Sequence, residues 1–231
     1  DELYAKAKLI NLNWTKQCLC IQKKYFPQTT IFVPFQGYSL EHLYEFVDSI
    51  SAYDYDGICL PMRCFRNNVR LINFLVNLKN IGIKKIHLLG TSRLDVIATM
   101  NYLSYHNYFQ FISYDSCTVA ITARSGKVLI PFDLRGIHIS ETEMINDLIN
   151  NGVYEREFST GHTLRDLQIM DKKENRKWLT EINYDALIKT KRELFKHSKS
   201  IDSLLYYFKI HSCRLDVIES VLHSLQILES N

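Results

Sequence analysis

Four short apolar runs, rich in β-branched and aromatic residues, recur along the first half of the sequence at about the spacing of one strand plus one helix. They occupy residues 30–35, 57–60, 85–89 and 109–114. Each run is nearly continuous in apolar character, which is typical of a strand buried on both faces. The pattern therefore predicts a parallel sheet built from consecutive strand–helix units.

The segments between these runs have helical periodicity. Residues 40–52, 68–81 and 93–106 carry apolar side chains at i, i+3 and i+4 spacing. Ser39 stands where a helix N-cap is expected, and Gly82 stands where a helix is expected to end. Four consecutive strand–helix units are typical either of half a (β/α)8 barrel or of an open doubly wound sheet. The spacing predicts an α/β fold and leaves both architectures open.

The alternation of apolar runs with helical segments ends after Tyr114. Residues 119–124 and 127–131 flank Ser125-Gly126, an arrangement that predicts a β-hairpin. From residue 140 onward the pattern is almost wholly helical, and residues 3–25 form a further amphipathic helical segment. Only 8 Gly and 4 Pro occur among 231 residues, which favours long regular elements over a turn-rich β-sandwich. We predict an α/β portion over residues 1–138 and a helical carboxyl-terminal extension over residues 139–231.

Composition and motifs narrow the class of protein. The formal net charge of +3 permits nucleic-acid binding but is weaker than the clustered excess of a dedicated nucleic-acid-binding domain. The sequence has no apolar run of about 18 residues, no secretory leader and no disulfide-framework spacing among its cysteines, so we expect a cytoplasmic protein without membrane contact. Phosphate-loop, dinucleotide-binding, nucleophile-elbow and metal-ligand patterns are absent, so neither a cofactor nor a metal is predicted.

Candidate functional residues follow the apolar runs, because parallel α/β folds bind ligands at the carboxyl ends of their strands. Asp115 ends an aromatic and apolar run, so we expect its carboxylate to be partly desolvated and rigidly held. Such a group can be a nucleophile, a general base or a metal ligand, and the alternative is a turn or N-cap aspartate. Gln36 either reads a planar edge such as a nucleobase or caps a loop. Gly90 either lets a ligand approach the backbone or makes a tight turn.

Four motifs occur in a fixed order along roughly the first 135 residues. They are Leu12-Asn13-Trp14-Thr15-Lys16-Gln17-Cys18; Val33-Pro34-Phe35-Gln36-Gly37; His87-Leu88-Leu89-Gly90 with Leu94-Asp95-Val96-Ile97; and Tyr114-Asp115-Ser116 running to Ala123-Arg124-Ser125-Gly126. Each is similar to a motif of the tRNA-guanine transglycosylase family, also called queuine tRNA-ribosyltransferases. The corresponding family motifs are Leu-x-Trp-x-(Lys/Arg)-x-Cys, Val-x-Gln-Gly, Leu-Met-Gly with Pro-x-Asp-(Leu/Ile), and Phe-Asp-Cys running to Arg-Asn-Gly. The chain thus resembles this family of base-exchange enzymes.

The resemblance implies a (β/α)8 barrel of the TIM type, of which this chain would carry the carboxyl-terminal half. It also implies that guanine in DNA or tRNA is replaced by a 7-deazaguanine base. Asp115 would be the nucleophile that attacks C1′ and holds a covalent glycosyl intermediate, as in retaining glycosidases. Arg124 would contact a backbone phosphate beside the flipped-out nucleotide. The base pocket would be lined by Gln36, Gly37, Leu60, Met62, Leu89 and Gly90.

The chain also departs from the family pattern. Pro61-Met62-Arg63 stands where the family has Gly-Gly-Leu, and Ile121 stands where it has an arginine. The zinc site expected after Gly126 is missing from the sequence, and the family's second catalytic aspartate would belong upstream of Asp1. The loss of the zinc site and of tRNA-facing features favours the DNA-guanine transglycosylase branch. Because a half-barrel has two open sheet edges, we expect the N-terminal barrel half, a partner chain or a second copy in a homodimer to complete it.

Two further readings of the function stay open at the level of sequence. The altered Pro61-Met62-Arg63 stretch favours a non-catalytic transglycosylase-like subunit or a nucleic-acid-binding module, whereas the retention of Asp115 favours an enzyme. A barrel hydrolase with Asp115 as general base is the third hypothesis, and the lack of a second placed acid argues against it.

Overall fold

The computed structural model describes residues 2–152, 163–169 and 172–230. The chain divides into two compact units. The first comprises Asp1–Thr91, His106–Asp115 and His223–Asn231, and the second comprises Ser92–Tyr105 and Ser116–Leu222. The predicted parallel sheet lies in the first unit, and most of the helical carboxyl-terminal region lies in the second.

Helices and strands alternate along the first unit. Its helices are α1 (Glu2–Tyr25), α2 (Leu40–Ile50) and α3 (Asn68–Asn80), and its strands are β1 (Phe32–Pro34), β2 (Gly57–Pro61), β3 (Lys85–Leu89) and β4 (Phe111–Tyr114). A short 3₁₀ helix, Met62–Cys64, follows β2. The sheet order is β1-β2-β3-β4, and every neighbouring pair is parallel. The four predicted strands and the α/β class are confirmed.

The ends of α2 and α3 follow signals in the sequence. Ser39 Oγ accepts a hydrogen bond from the backbone N–H of His42 at 3.2 Å, so Ser39 caps α2 as predicted. After α3, Gly82 adopts a φ of +89° and its N–H donates to Lys79 O at 2.9 Å. Glycine is favoured at such a positive φ, and Gly82 therefore ends the helical run as predicted.

One face of the sheet is covered by helices. The register pairs Ile58 with Ile86 and Leu60 with Leu88, and all four side chains are fully buried. Phe35, directly after β1, packs its ring 5.5 Å from an aromatic ring of α2 and 5.8 Å from one of α3. The burial of this face supplies the main apolar driving force for docking α2 and α3 on the sheet.

The opposite face of the sheet is partly exposed. It carries Phe32, whose ring centroid lies 6.2 Å from His87 and 5.9 Å from Phe111. Phe111 is 47% exposed, although parallel sheets are usually covered on both faces. The expectation that the apolar runs are buried on both sides is therefore confirmed for one face only.

The long helix α1 confirms the helical prediction for residues 3–25, but it buries few side chains. Tyr4 and Thr15 are its buried residues, and Trp14 is 67% exposed. The Tyr4 ring stacks on His42 at 3.6 Å, and its hydroxyl donates to His42 O at 2.7 Å. Burial, assisted by the negative charge of Glu45, raises the pKa of Tyr4 to about 12. Tyr4 thus anchors α1 to the start of α2.

The second unit is mainly helical, as predicted for the carboxyl-terminal region. It contains α4 (Leu94–Tyr105), α5 (Thr118–Arg124), α6 (Thr142–Asn150), α7 (Leu164–Ile169), α8 (Lys172–Lys196), α9 (Ile201–Ile210) and the beginning of α10 (Leu215–Glu229). Among its described residues, the strands β5 (Lys127–Leu129) and β6 (Gly136–His138) form an antiparallel pair. Residues 153–162 and 170–171 of the predicted helical region lie outside the described residues. In the described part of the chain, no helix combines the length and the apolar character that crossing a membrane requires.

The predicted hairpin is wrong. Residues 119–124 belong to α5, and β5 pairs with β6 instead. Val119 and Ala123 lie one helical turn apart and are both buried, while Gly126, at a φ of +70°, leads the chain from α5 towards β5. The burial of Val119 and Ala123 on one side of a helix outweighs the β propensity of the local residues.

A side chain of α8 completes the hydrogen bonding of β5. Asn183 is fully buried; its Oδ1 accepts from Leu129 N at 2.6 Å, and its Nδ2 donates to Lys127 O at 3.0 Å. One amide offers both an acceptor and a donor, so it pairs with β5 as the backbone of a neighbouring strand would. The contact fixes β5 on α8.

Candidate functional site

The carboxyl ends of β3 and β4 bring two of the predicted residues, Gly90 and Asp115, together. The N–H of Asp115 donates to Leu88 O at 3.2 Å, and the N–H of Thr91 donates to Asp115 O at 2.8 Å. These bonds continue the pairing of the two strands beyond the end of β4. The backbone of Asp115 is therefore fixed, as its place after an apolar run predicts.

The Asp115 carboxylate is oriented by the backbone of Gly90. The N–H of Gly90 donates to Asp115 Oδ1 at 2.7 Å. Gly90 has a φ of +79°, which residues other than glycine rarely adopt. Apart from Gly90 and its two neighbours in the chain, no described residue has an atom within 4 Å of the place where a Cβ would stand. Gly90 therefore makes a tight turn and also leaves open space beside its backbone. The two roles considered for it, a tight turn and the approach of a ligand to the backbone, are thus compatible.

The Asp115 side chain is more exposed than the sequence predicts. It is 60% exposed, so the expected partial desolvation is not found. The reason is the place of β4 at the end of the strand order, where its own residues are exposed or only half-buried. In this chain the carboxylate is accessible to a substrate that approaches the carboxyl edge of the sheet.

His87 is a neighbour of Asp115 that the sequence analysis did not single out. Its Nε2 lies 4.0 Å from Asp115 Oδ1, and its Nδ1 lies 2.7 Å from Ser113 Oγ. The three side chains share a sheet face because side chains alternate along β3 and β4. The sequence signal that could have identified His87 is a polar residue at an alternating position of an apolar strand. An imidazole in this position offers a hydrogen-bond donor or acceptor at Nε2 close to the carboxylate.

Cys59 pairs with His87 in the register and is 7% exposed. Burial, assisted by the negative charge of Asp115, raises the pKa of the Cys59 thiol to about 11. The thiolate is the nucleophilic form of cysteine, so Cys59 is not an activated nucleophile at neutral pH. Asp115 is the better candidate on this face.

The predicted base-pocket residues of the central strands are divided between the two faces. Leu60 is fully buried on the face that the helices cover. Pro61, and not Leu60, pairs with Leu89 in the register. Because side chains alternate, Leu89 shares its face with Asp115, and Leu60 does not. The structure therefore brings Leu89 and Gly90 to the side of Asp115 and leaves Leu60 in the core.

Gln36 and Gly37 follow β1 at the same carboxyl edge of the sheet. Gln36 is exposed, whereas Gly37 is buried. A Cβ on Gly37 would lie 2.3 Å from Phe35 Cζ and 2.8 Å from His42 Cβ, so this position requires glycine. Met62 is only 7% exposed within the 3₁₀ helix. Of these three, Gln36 is the side chain that a ligand can reach.

Arg124 is the last residue of α5, in the second unit, and it is exposed. Ile121, which stands where the resembled family has an arginine, is 55% exposed on the same helix. The contact of Arg124 with a phosphate stays a prediction. Within the described ranges, no group of three or more His, Cys, Asp or Glu side chains is arranged to hold a metal ion.

No protein-family model matches this chain, and no curated protein matches it. The resemblance to the transglycosylases therefore rests on the four sequence motifs. The structure adds the α/β class, the parallel order of the strands and the geometry around Asp115.

Proposed function

We propose that this chain is part of a base-exchange glycosyltransferase that replaces guanine in nucleic acid by a 7-deazaguanine, with DNA favoured over tRNA. The observation that carries the proposal is the Asp115 carboxylate, exposed at the carboxyl edge of the sheet and oriented by the Gly90 N–H at 2.7 Å. Base exchange through a covalent intermediate needs a carboxylate that is both accessible and fixed in orientation. We choose base exchange as the reaction because of the four motifs that resemble those of the transglycosylase family.

The reaction proceeds in two displacements at C1′ of the target nucleotide. We assign the first attack to Asp115 Oδ2, because Oδ1 is engaged by Gly90. The bond from C1′ to guanine breaks, and its electron pair leaves with the base, which takes up a proton. The ring nitrogen of the 7-deazaguanine then attacks the glycosyl ester, loses its proton and regenerates the Asp115 carboxylate. One proton is taken up and one is released over the cycle.

Two further residues at the carboxyl edge suit a purine. Gln36 is exposed and offers an amide donor and acceptor to the edge of the base. Leu89 lies on the face of Asp115 and offers an apolar surface to the ring, while Gly90 leaves room beside its backbone. These contacts recognise the base, and Asp115 performs the exchange.

The strand order supports a barrel half over a doubly wound sheet. A doubly wound sheet reverses its order at a switch point, whereas β1-β2-β3-β4 continues without reversal. Helices α2 and α3 cover one face, and the opposite face, with Phe111 47% exposed, would be the barrel interior in that architecture. The other half would come from an N-terminal portion of the same polypeptide, from a partner chain or from a second copy.

The decisive experiment is the variant Asp115→Asn in the full-length protein. Exchange of labelled guanine or 7-deazaguanine is measured with duplex DNA and with tRNA, and the covalent protein–nucleic acid adduct is trapped on a denaturing gel. Asp115→Asn should abolish both exchange and adduct because an amide is a poor nucleophile. Asp147→Asn, an exposed carboxylate on α6, is the matched control and should leave both unchanged. An adduct that persists in Asp115→Asn would exclude Asp115 as the nucleophile.

A non-catalytic transglycosylase-like subunit is the second candidate, and one observation favours it. Of the three residues that stand where the resembled family has Gly-Gly-Leu, Pro61 ends β2, and Met62 and Arg63 begin a 3₁₀ helix in which Met62 is buried. A helical turn replaces the open backbone that a glycine pair would present to a base. Nucleic-acid binding by the wild-type protein without exchange on DNA or tRNA would support this second function.

A further inference from the structure

The sequence Arg-Leu-Asp-Val-Ile occurs twice in the second unit, at residues 93–97 and 214–218. Each copy opens a helix, since α4 begins at Leu94 and α10 begins at Leu215. In both copies the arginine directly precedes the helix and the aspartate lies in its first turn. The two helix starts are therefore equivalent in sequence and in local structure.

Both copies line one cavity of about 390 Å³ within the second unit. The third wall is formed by residues 133–135 of the loop between β5 and β6 and by Gly136 at the start of β6. Ser220 of α10 donates from Oγ to Asp95 Oδ2 of α4 at 2.8 Å, and this bond ties the two helices together beside the cavity. The volume is in the range of small-molecule sites.

The cavity wall carries three ion pairs, each between an arginine and an aspartate. Arg93 Nη2 lies 2.5 Å from Asp95 Oδ2, Arg135 Nε lies 3.4 Å from Asp133 Oδ2, and Arg214 Nε lies 3.6 Å from Asp216 Oδ1. The six formal charges cancel. The N-termini of α4 and α10 add about half a positive charge each, so the net charge around the cavity is positive.

Asp133 is held in place by a strained loop. Its two neighbours, Phe132 and Leu134, have φ values of +72° and +57°, which cost energy for residues other than glycine. The N–H of Phe132 donates to Thr190 Oγ1 at 2.8 Å, and the hydroxyl of Tyr207 donates to Phe132 O at 2.8 Å. The loop is thus fixed from α8 and α9, and it presents Asp133 to the cavity.

The Asp133 carboxyl has an unsatisfied oxygen. The side chain is 7% exposed, and Oδ1 has no hydrogen-bond partner among the described residues. A buried polar atom without a partner is costly, and a ligand that pairs with it recovers that cost. Burial raises the pKa of Asp133, while the nearby guanidinium groups of Arg135 and Arg214 lower it and Asp216 raises it.

We propose that this cavity binds a phosphate group, with Arg135 and Arg214 on its anionic oxygens and Asp133 Oδ1 accepting a hydrogen bond from a hydroxyl of the ligand. Both arginine side chains are 56% exposed and their ion pairs are longer than that of Arg93, so they can turn to a ligand. Planar guanidinium groups match phosphate oxygens, and helix N-termini add donors. The proposal does not rest on the transglycosylase function. A free nucleotide and a nucleic-acid backbone both supply the group.

The test measures binding to the full-length protein by isothermal titration calorimetry at constant ionic strength. The probes are inorganic phosphate, a deoxyguanosine monophosphate and a short single-stranded oligodeoxynucleotide without terminal phosphates. Saturable binding that Arg135→Gln and Arg214→Gln each weaken roughly tenfold supports the site, since one charge-assisted hydrogen bond has about that value. The two nucleotide probes distinguish a free monoester from a backbone diester.

Two variants distinguish a phosphate site in this cavity from non-specific attraction of anions to surface arginines. Asp133→Asn removes a negative charge but keeps the Oδ1 acceptor, so phosphate binding should be retained or strengthened. Arg192→Gln, an exposed arginine of α8 outside the cavity lining, should not change it. The proposal is overturned if none of the three probes binds saturably. It is also overturned if Arg192→Gln weakens binding as much as Arg214→Gln, or if Asp133→Asn abolishes binding while the arginine variants do not.

Discussion

The backbone N–H of Gly90 is hydrogen-bonded to Oδ1 of Asp115 at 2.7 Å, across the gap between the end of β3 and the end of β4. The two residues are 25 positions apart in sequence. Gly90 adopts a φ of +79°, and the chain turns there so that the N–H of the next residue, Thr91, donates to Asp115 O at 2.8 Å. The conformation of one residue is therefore coupled to the orientation of the other.

Gly90→Ala should lower both stability and base exchange. The alanine Cβ meets open space, so the cost is the left-handed backbone alone, about 1 kcal/mol. Relaxation of that strain would shift the turn whose N–H groups, from Gly90 and Thr91, contact Asp115, and it would reduce the exchange rate. Stability is measured by urea unfolding, and exchange is measured with labelled guanine.

Gly82→Ala is the matched control for this prediction. Gly82 has a φ of +89° and equally open space around a Cβ, but it lies at the end of α3 and not beside Asp115. It should show a similar loss of stability with unchanged exchange. Equal effects of the two variants on exchange would mean that the contact between Gly90 and Asp115 has no functional role.

The Cys59 thiol should resist modification in the folded protein. Its pKa is raised from an ordinary 9.0 to about 11, so at about pH 8 it stays protonated and unreactive. The exposed cysteines, Cys18, Cys20 and Cys117, should react with a thiolate-specific reagent under the same conditions. Mass spectrometry of peptides from native and from unfolded protein provides the measurement, and rapid native labelling of Cys59 would contradict the prediction.

The raised pKa of the Cys59 thiol also affects the free energy of unfolding at alkaline pH. The folded state keeps the Cys59 thiol neutral, whereas the unfolded chain ionises it above its ordinary pKa near 9.0. The stability that this group contributes is fully present below that pH and is lost as pH rises towards 11. Cys59→Ser should therefore show a smaller decrease in the free energy of unfolding over this interval.

Asn183→Leu should destabilise the second unit. Leucine has a similar volume but cannot form the two hydrogen bonds that Asn183 makes with Leu129 N and Lys127 O of β5, at a cost of about 3 kcal/mol. Asn73→Ala, an exposed position on α3, should change the free energy of unfolding by less than about 0.5 kcal/mol. Urea unfolding measures both, and equal midpoints would show that the Asn183 pairing is dispensable.

The sequence predicts most of the first unit because its signals are local. Ser39 caps α2 through a residue three positions ahead, and Gly82 ends α3 through its own backbone freedom. The hairpin prediction failed for the opposite reason. Val119 and Ala123 have side chains that suit a strand or a helix, and buried contacts with distant segments selected the helix.

The candidate site was predictable in its parts and not in its arrangement. Asp115 and Gly90 follow from their places after apolar runs, whereas their hydrogen bond depends on the parallel pairing of β3 with β4. The proximity of His87 to Asp115 depends on the same register. Leu60 was assigned to the base pocket by motif position, and strand alternation places it on the other face.

The amino-acid sequence by itself determined the order of the elements, the α/β class of the first unit and the residues that end its strands, because periodicity, caps and turn residues act over a few positions. The tertiary structure decided which face of the sheet is exposed, how accessible Asp115 is and how two copies of Arg-Leu-Asp-Val-Ile come to line one cavity. These properties depend on contacts between residues far apart in the chain, and burial and proximity exist only once those contacts form.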